Sequence, residues 1–171
     1  MPLDRRYFME QLRARLAQDA ALAKRAELDA RDAARTAATA SEKREDGRVA
    51  LEFGSLATGH GSRARRGQEE LHALDAFMQR GAATFAPKTR VELGAIVDVA
   101  AEDDQGTYER TFIILPVGAG TEVSGPGGDG FLVVVTPGSP VGRALMGKRP
   151  GEVADVTLRG EPYEWEILDV A

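Results

Sequence analysis

Apolar and small residues recur through the first half of the chain at alternating spacings of three and four. Met9, Leu12, Leu16, Ala23, Ala26, Ala30, Ala33, Ala37 and Ala40 form one series, with Asp19 as its only interruption. Phe53, Ala57, His60, Ala64, Gly67, Leu71, Leu74 and Met78 form a second. Such alternation is a heptad seam and places each series on one stripe of a helix. Two such helices joined by a short turn bury their stripes by folding back antiparallel. Pairing Ala37 with Phe53, Ala26 with Ala64 and Leu12 with Met78 gives position numbers that total 90 each time, so the reversal falls near residue 45. The pattern predicts helices over 4–40 and 48–80, a turn within 41–48, and a finger about 50 Å long at 1.5 Å per residue. Its distal seam is Ala and Gly on both sides and its proximal seam Leu and Met, so the finger is thin towards the tip. Gly54, Gly59, Gly61 and Gly67 each weaken the return helix by about 1 kcal/mol relative to Ala. They fit either a close approach of the two helices or a kinked, frayed one.

Beyond residue 80 the period changes. Gly81 and Pro87 mark a linker over 81–88. Val91 to Val99 alternates as a strand, Asp103 to Gly106 reads as a turn, and Tyr108 to Leu115 completes a hairpin. Gly118 to Gly130 reads as a flexible loop; it lacks the Gly-Lys-Ser/Thr ending of a phosphate cradle. Phe131 to Val135 is a buried strand. Ser139 and Pro140 start a two-turn helix, Val141 to Met146, that Gly147 ends. Val153 to Leu158 and Tyr163 to Val170 close the chain as a hairpin around Arg159-Gly160-Glu161. The fold class is α+β: an N-terminal finger over 1–80 and a small domain over 89–171, with about five strands curled over one short helix.

Composition narrows the chemistry. The chain has 171 residues and no cysteine, which removes disulfides, thiol catalysis and cysteine-ligated zinc. Residues 1–80 hold 15 Lys/Arg and 13 Asp/Glu; residues 81–171 hold 7 and 14. Neither half is the basic surface that grips nucleic acid directly, so any nucleic acid is reached through a protein partner. No apolar run has membrane-span length, and no apolar segment follows Met1–Arg6 to make a signal peptide. The expectation is a cytoplasmic monomer. His60 lies on the seam with His72 beside the seam, and neither has a second ligand at metal spacing. Arg63, Arg65 and Arg66 form a basic cluster, either a solvated face or a contact to an acidic wall.

The segment from Val135 to Glu152 contains S-P-x-G-R-A-L-x-G-K, filled by Ser139, Pro140, Gly142, Arg143, Ala144, Leu145, Gly147 and Lys148. Gly151, Glu152, Val156, Tyr163, Glu164, Ile167 and Val170 approximate a following G-E-x-x-x-V…Y-E-I-x-x-V pattern. This resembles the C-terminal signature of the Gre-type transcription elongation factors. The resemblance implies an antiparallel coiled-coil hairpin followed by an FKBP-like sheet domain, in the order reached above. It also implies a partner, bacterial RNA polymerase. The globular domain would dock at the rim through Ser139, Pro140, Gly142, Arg143 and Lys148, and the finger would enter the secondary channel.

Family members carry acidic-x-x-acidic-Asn at the tip, with a nearby Tyr. This chain has Ser-Glu-Lys-Arg-Glu-Asp-Gly: Glu42 and Glu45 keep the spacing, Asp46 adds a third acid, the Asn is absent, and Phe53 is the nearest aromatic. The resemblance implies that the tip acids assist only, helping the polymerase hold a second magnesium for hydrolysis of backtracked RNA. Magnesium is held by one or two carboxylates while it keeps waters, and acids at i and i+3 share a helix face. The chain itself would then be no enzyme and would hold no metal or cofactor alone. The acids are equally readable as solvated turn residues beside Lys43 and Arg44. Three roles follow: cleavage stimulation, channel occupation without cleavage, or a chaperone or isomerase module unrelated to transcription.

Overall fold

A computed structural model describes residues 4–39, 44–81, 89–103, 106–128 and 130–171. The chain opens with helix α1, Arg5–Thr39, and helix α2, Arg44–Met78, of 35 residues each. Asp4 caps α1: its side chain accepts from the Arg6 amide at 3.0 Å. The described residues divide into two compact units, one from Ala14 to His72 and one made of the residues up to Arg13 and from Ala73 onward.

In the first unit α1 and α2 run antiparallel. A Cβ on Gly67 would lie 2.9 Å from Ala20 Cβ, and one on Gly61 would lie 2.9 Å from Glu27 Oε1. Facing residues therefore total 87 to 88 rather than 90. The reversal shifts accordingly: α1 ends at Thr39 and α2 begins at Arg44, so the expected helix start at 48 is corrected to 44, and what is left of the expected turn over 41–48, residues 41–43, lies outside the described residues. Gly47 belongs to α2, not to the turn. Glu45 and Asp46 fall in the first turn of α2, where the helix dipole favours acids, which accounts for the earlier start. The α2 series stands as read: Ala57, Ala64 and Leu74 are buried, and Phe53, His60, Gly67, Leu71 and Met78 half-buried. On α1 the seam steps from Leu16 to Ala20 and on to Ala23, Glu27 and Ala30. Asp19 is solvent-exposed, and Glu27, not Ala26, is buried. Two successive spacings of four make an eleven-residue element, which shifts the phase by one position.

In the second unit six strands form one sheet in the order β3-β4-β2-β1-β6-β5. They are β1 (Ile96–Asp103), β2 (Gly106–Ile114), β3 (Glu122–Ser124), β4 (Phe131–Val135), β5 (Val153–Leu158) and β6 (Glu161–Val170). All neighbours pair antiparallel except β2 with β4, which is parallel. Helix α3, Pro140–Leu145, covers one face. Under it lie Val97, Val99, Phe112, Ile114, Val135, Trp165 and Ile167, with Phe112 stacked on Trp165 at 5.3 Å. Two expectations change. β1 starts at Ile96 rather than Val91, because Gly94 (φ +90) turns the chain and the Ala95 amide donates to the Glu92 carbonyl. The stretch from Gly118 to Gly130 contains β3, so the sheet has six strands, not five. Gln11 of α1 holds β3 there: its amide donates to the Ser124 carbonyl at 2.8 Å and accepts from the Ser124 amide at 3.2 Å.

Candidate functional site

The signature segment is a rigid corner. Ser139 Oγ accepts from the Gly142 amide at 3.0 Å and donates to the Thr136 carbonyl at 2.8 Å. Pro140 occupies the first turn, where no amide is required. Gly142 is buried, and a Cβ there would overlap the Thr136 carbonyl oxygen. Glycine is the residue that lets the corner close. Leu145 anchors the helix in the core with no exposure. Gly147, at φ +81, turns the chain out. Its amide donates to the Val91 carbonyl at 2.7 Å, and the Val91 amide donates to the Lys148 carbonyl at 2.7 Å. The helix is thus clamped at both ends to backbone.

This architecture sorts the five proposed docking residues. Ser139 and Gly142 use their polar groups or their lack of a side chain to build the corner. Pro140 and Arg143 face solvent, and Lys148 is half-buried. The Arg143 guanidinium donates back to the Gly138 carbonyl, which holds it against the corner. Met146 and Arg149 are also exposed beside them.

At the tip, Glu42 lies outside the described residues. Glu45 and Asp46 are placed by backbone alone, in the first turn of α2, and their side chains too lie outside what is described. Among the described residues no group of three or more His, Cys, Asp or Glu is arranged to hold a metal. His60 is half-buried on the seam, and His72 is exposed.

Halfway along the hairpin a cleft of about 1080 Å³ is lined by Lys24, Glu27, Arg31, Arg35 and Arg65 over Gly54, Ala57, Gly61 and Ala64. Of the predicted basic cluster, Arg65 faces this cleft. Glu27 is only 4% exposed. Lys24 Nζ lies 3.0 Å from its Oε2, and Arg31 contacts Oε1. The Lys24 hydrogen bond, with the fields of Arg31 and Arg65, holds its carboxyl below the ordinary range against the opposing effect of burial. The seam reading missed Glu27. The signal was Asp19, a charge where the series needed an apolar residue, with Ala20 available one step on.

Comparison with known proteins follows the same outline. The family described as "Transcription elongation factor, GreA/GreB, C-term" matches residues 86–171. The transcription elongation factor GreA of Mycolicibacterium vanbaalenii is 34% identical over 126 residues, covering 71% of this chain and 70% of that protein. GreA of Streptococcus uberis is 28% identical over 89 residues, 48% of this chain, and the match spans 56% of the relative's length. Among solved structures, GreA factor homolog 1 (Gfh1) of Thermus thermophilus aligns over 93% of this chain and 94% of its own at 16% identity and a TM-score of 0.35. Gfh1 of Thermus aquaticus aligns over 96% and 94%, also at 16% identity and 0.35. The family match across the C-terminal half and the 34% identical GreA establish that this chain belongs to the GreA/GreB family of transcription elongation factors.

Proposed function

We propose that this protein acts in the cytoplasm on bacterial RNA polymerase, with the globular domain docking at the rim of the secondary channel and the finger entering it. The observation that carries this reading is the corner from Ser139 to Lys148. It is a family signature whose buried members build a clamped helix and whose exposed members, Pro140 and Arg143, are presented rigidly. Rigid presentation lowers the ordering cost of binding. Nucleic acid is met only through the polymerase, in keeping with the acidic balance of residues 81–171. The chain acts as a monomer and lends side chains; the polymerase remains the enzyme.

At the tip, Glu42, Glu45 and Asp46 would supply oxygen ligands to a magnesium ion shared with the polymerase. In this chain the missing Asn and the neighbouring Lys43 and Arg44 weaken that edge, so the expected wild-type effect is weak cleavage stimulation or inhibition by occupancy. The test is the variant E42A/E45A/D46A on backtracked complexes. Loss of an ion ligand of this kind lowers a phosphoryl-transfer rate about a hundredfold, on the order of 3 kcal/mol. The variant should lose any effect on cleavage while it still binds. If the wild type stimulates no cleavage and the variant inhibits transcription equally well, the acids are inert and the finger works by filling space.

A second reading, a chaperone or isomerase module, has one observation in its favour. Tyr108, Arg110, Leu158, Tyr163 and Trp165 line a cleft of about 490 Å³ on the globular unit. An aromatic cleft suits an extended proline-containing peptide.

A further inference from the structure

The cleft halfway along the hairpin lies wholly within the unit from Ala14 to His72. Lys24, Arg31 and Arg35 edge it from α1 and Arg65 from α2. From Lys24 to Arg35 the cationic edge runs about 16 Å, at 1.5 Å per residue. Two carboxylates answer these cations. Glu27 is buried, with Lys24 Nζ 3.0 Å from one oxygen and Arg31 on the other. Asp32 stands 3.4 Å from Arg35 at the rim. Four cations less two carboxylates leave an excess of two positive charges. Arg65 adds its field to Glu27 from the opposite helix, so one buried carboxylate gathers three cations and neutralises the charge of one. Lys24 and Arg31 are more than half exposed. An ammonium has three N–H donors and a guanidinium five, so most of them are left over for the cleft. The floor is kept low by Gly54, Ala57, Gly61 and Ala64. Gly61 is required by packing, because a Cβ there would meet Glu27 Oε1; Gly54 is not, since a Cβ there meets nothing within 4 Å. Glycine at 54 costs the helix about 1 kcal/mol relative to Ala, and what it provides is open volume between the cations.

We propose that this cleft is a binding site for a short chain of phosphates, free or as the tail of a nucleotide, clamped by Lys24, Arg31 and Arg35 from one helix and Arg65 from the other. Guanidinium forks match phosphate oxygens two at a time, and here they stand in a row rather than around one point. At about 1080 Å³ the cleft is at the upper end of the size of small-ligand sites. None of the residues lining it is aromatic, so it offers a nucleobase nothing to stack on and reads the phosphates alone.

The test is calorimetric titration of the full-length protein with sodium tripolyphosphate, ATP and AMP at about 0.1 M salt, where charges more than about 10 Å apart are screened. Tripolyphosphate should bind saturably, one per chain, and ATP should bind too, with AMP weaker than either by about tenfold or more. Equal affinity for the first two assigns the site to any triphosphate; a preference for tripolyphosphate assigns it to the free chain. R31A/R65A should weaken binding about tenfold or more, the usual effect of losing hydrogen bonds to a charged group. R63A/R66A removes the same charge from exposed positions of α2 that do not line the cleft, and it should leave the affinity unchanged. G54L keeps every cation and replaces glycine with a better helix former. It should abolish binding while the melting temperature stays level or rises. Absence of saturable tripolyphosphate binding, equal losses in the two double variants, undiminished binding to G54L, or AMP binding as well as ATP would each overturn the proposal.

Discussion

Gly142 and Ser139 show how single residues set the signature corner. The Ser139 hydroxyl works twice, as acceptor for the Gly142 amide and as donor to the Thr136 carbonyl. Ser139→Ala should destabilise the protein by about 1 kcal/mol, the usual effect of losing a helix cap. For a chain of this size that is a fall of roughly 2–4 °C in melting temperature. Gly142→Ala should be worse, because its Cβ has no space beside the Thr136 carbonyl. Thermal unfolding of the two variants checks the order. Glu27 makes a prediction of opposite character. Its carboxyl titrates below its unfolded-state value because of Lys24, Arg31 and Arg65. The group therefore contributes stability above the ordinary carboxylate range, about pH 4, and that contribution disappears as pH falls through the lower folded-state value. The melting temperature of the parent should drop more steeply than that of E27Q as pH is lowered below about 4. Parallel pH profiles would show that Glu27 titrates the same way folded and unfolded.

The elements differ in how far they could be read in advance. The hairpin was legible because its seam repeats over ten turns, and α2 keeps one phase throughout. The α1 phase was half legible. A strict heptad carries Met9, Leu12 and Leu16 correctly, then predicts Asp19 and Ala26 where the helix buries Ala20 and Glu27. An eleven-residue spacing cannot be distinguished from an interrupted heptad when most of the alternatives are Ala. The signature helix was legible from Ser139, Pro140 and Gly147, since capping is local chemistry. β3 was not. Glu122–Ser124 has three residues and no alternation to detect, and it is held by hydrogen bonds from Gln11, more than a hundred positions away. Apolar Val91 and Leu93 look like strand, so the alternation starts β1 five residues before Ile96; the tight turn at Gly94 is a tertiary fact. The sequence signature marks the proposed docking residues only as a set. That Ser139 and Gly142 build the corner while Pro140 and Arg143 face outward requires the packing of Leu145 and the clamp to Val91.

For the whole molecule, membership of the GreA/GreB family and a displayed signature are the two grounds for the proposed partner, bacterial RNA polymerase. Among the described residues no helix is long and apolar enough to cross a membrane, and no group of three or more His, Cys, Asp or Glu is arranged to hold a metal. On the proposed reading the finger, the corner and the tip acids all act on a second protein. The most direct measurement is therefore equilibrium binding of the intact protein to purified bacterial RNA polymerase core enzyme at micromolar concentration and low salt, where charge attraction is least screened. The account predicts saturable association, weakened by Arg143→Ala and weaker still for residues 85–171 without the finger. No detectable association of the intact chain under those conditions would contradict it and leave the aromatic cleft of Tyr108, Tyr163 and Trp165 as the better starting point.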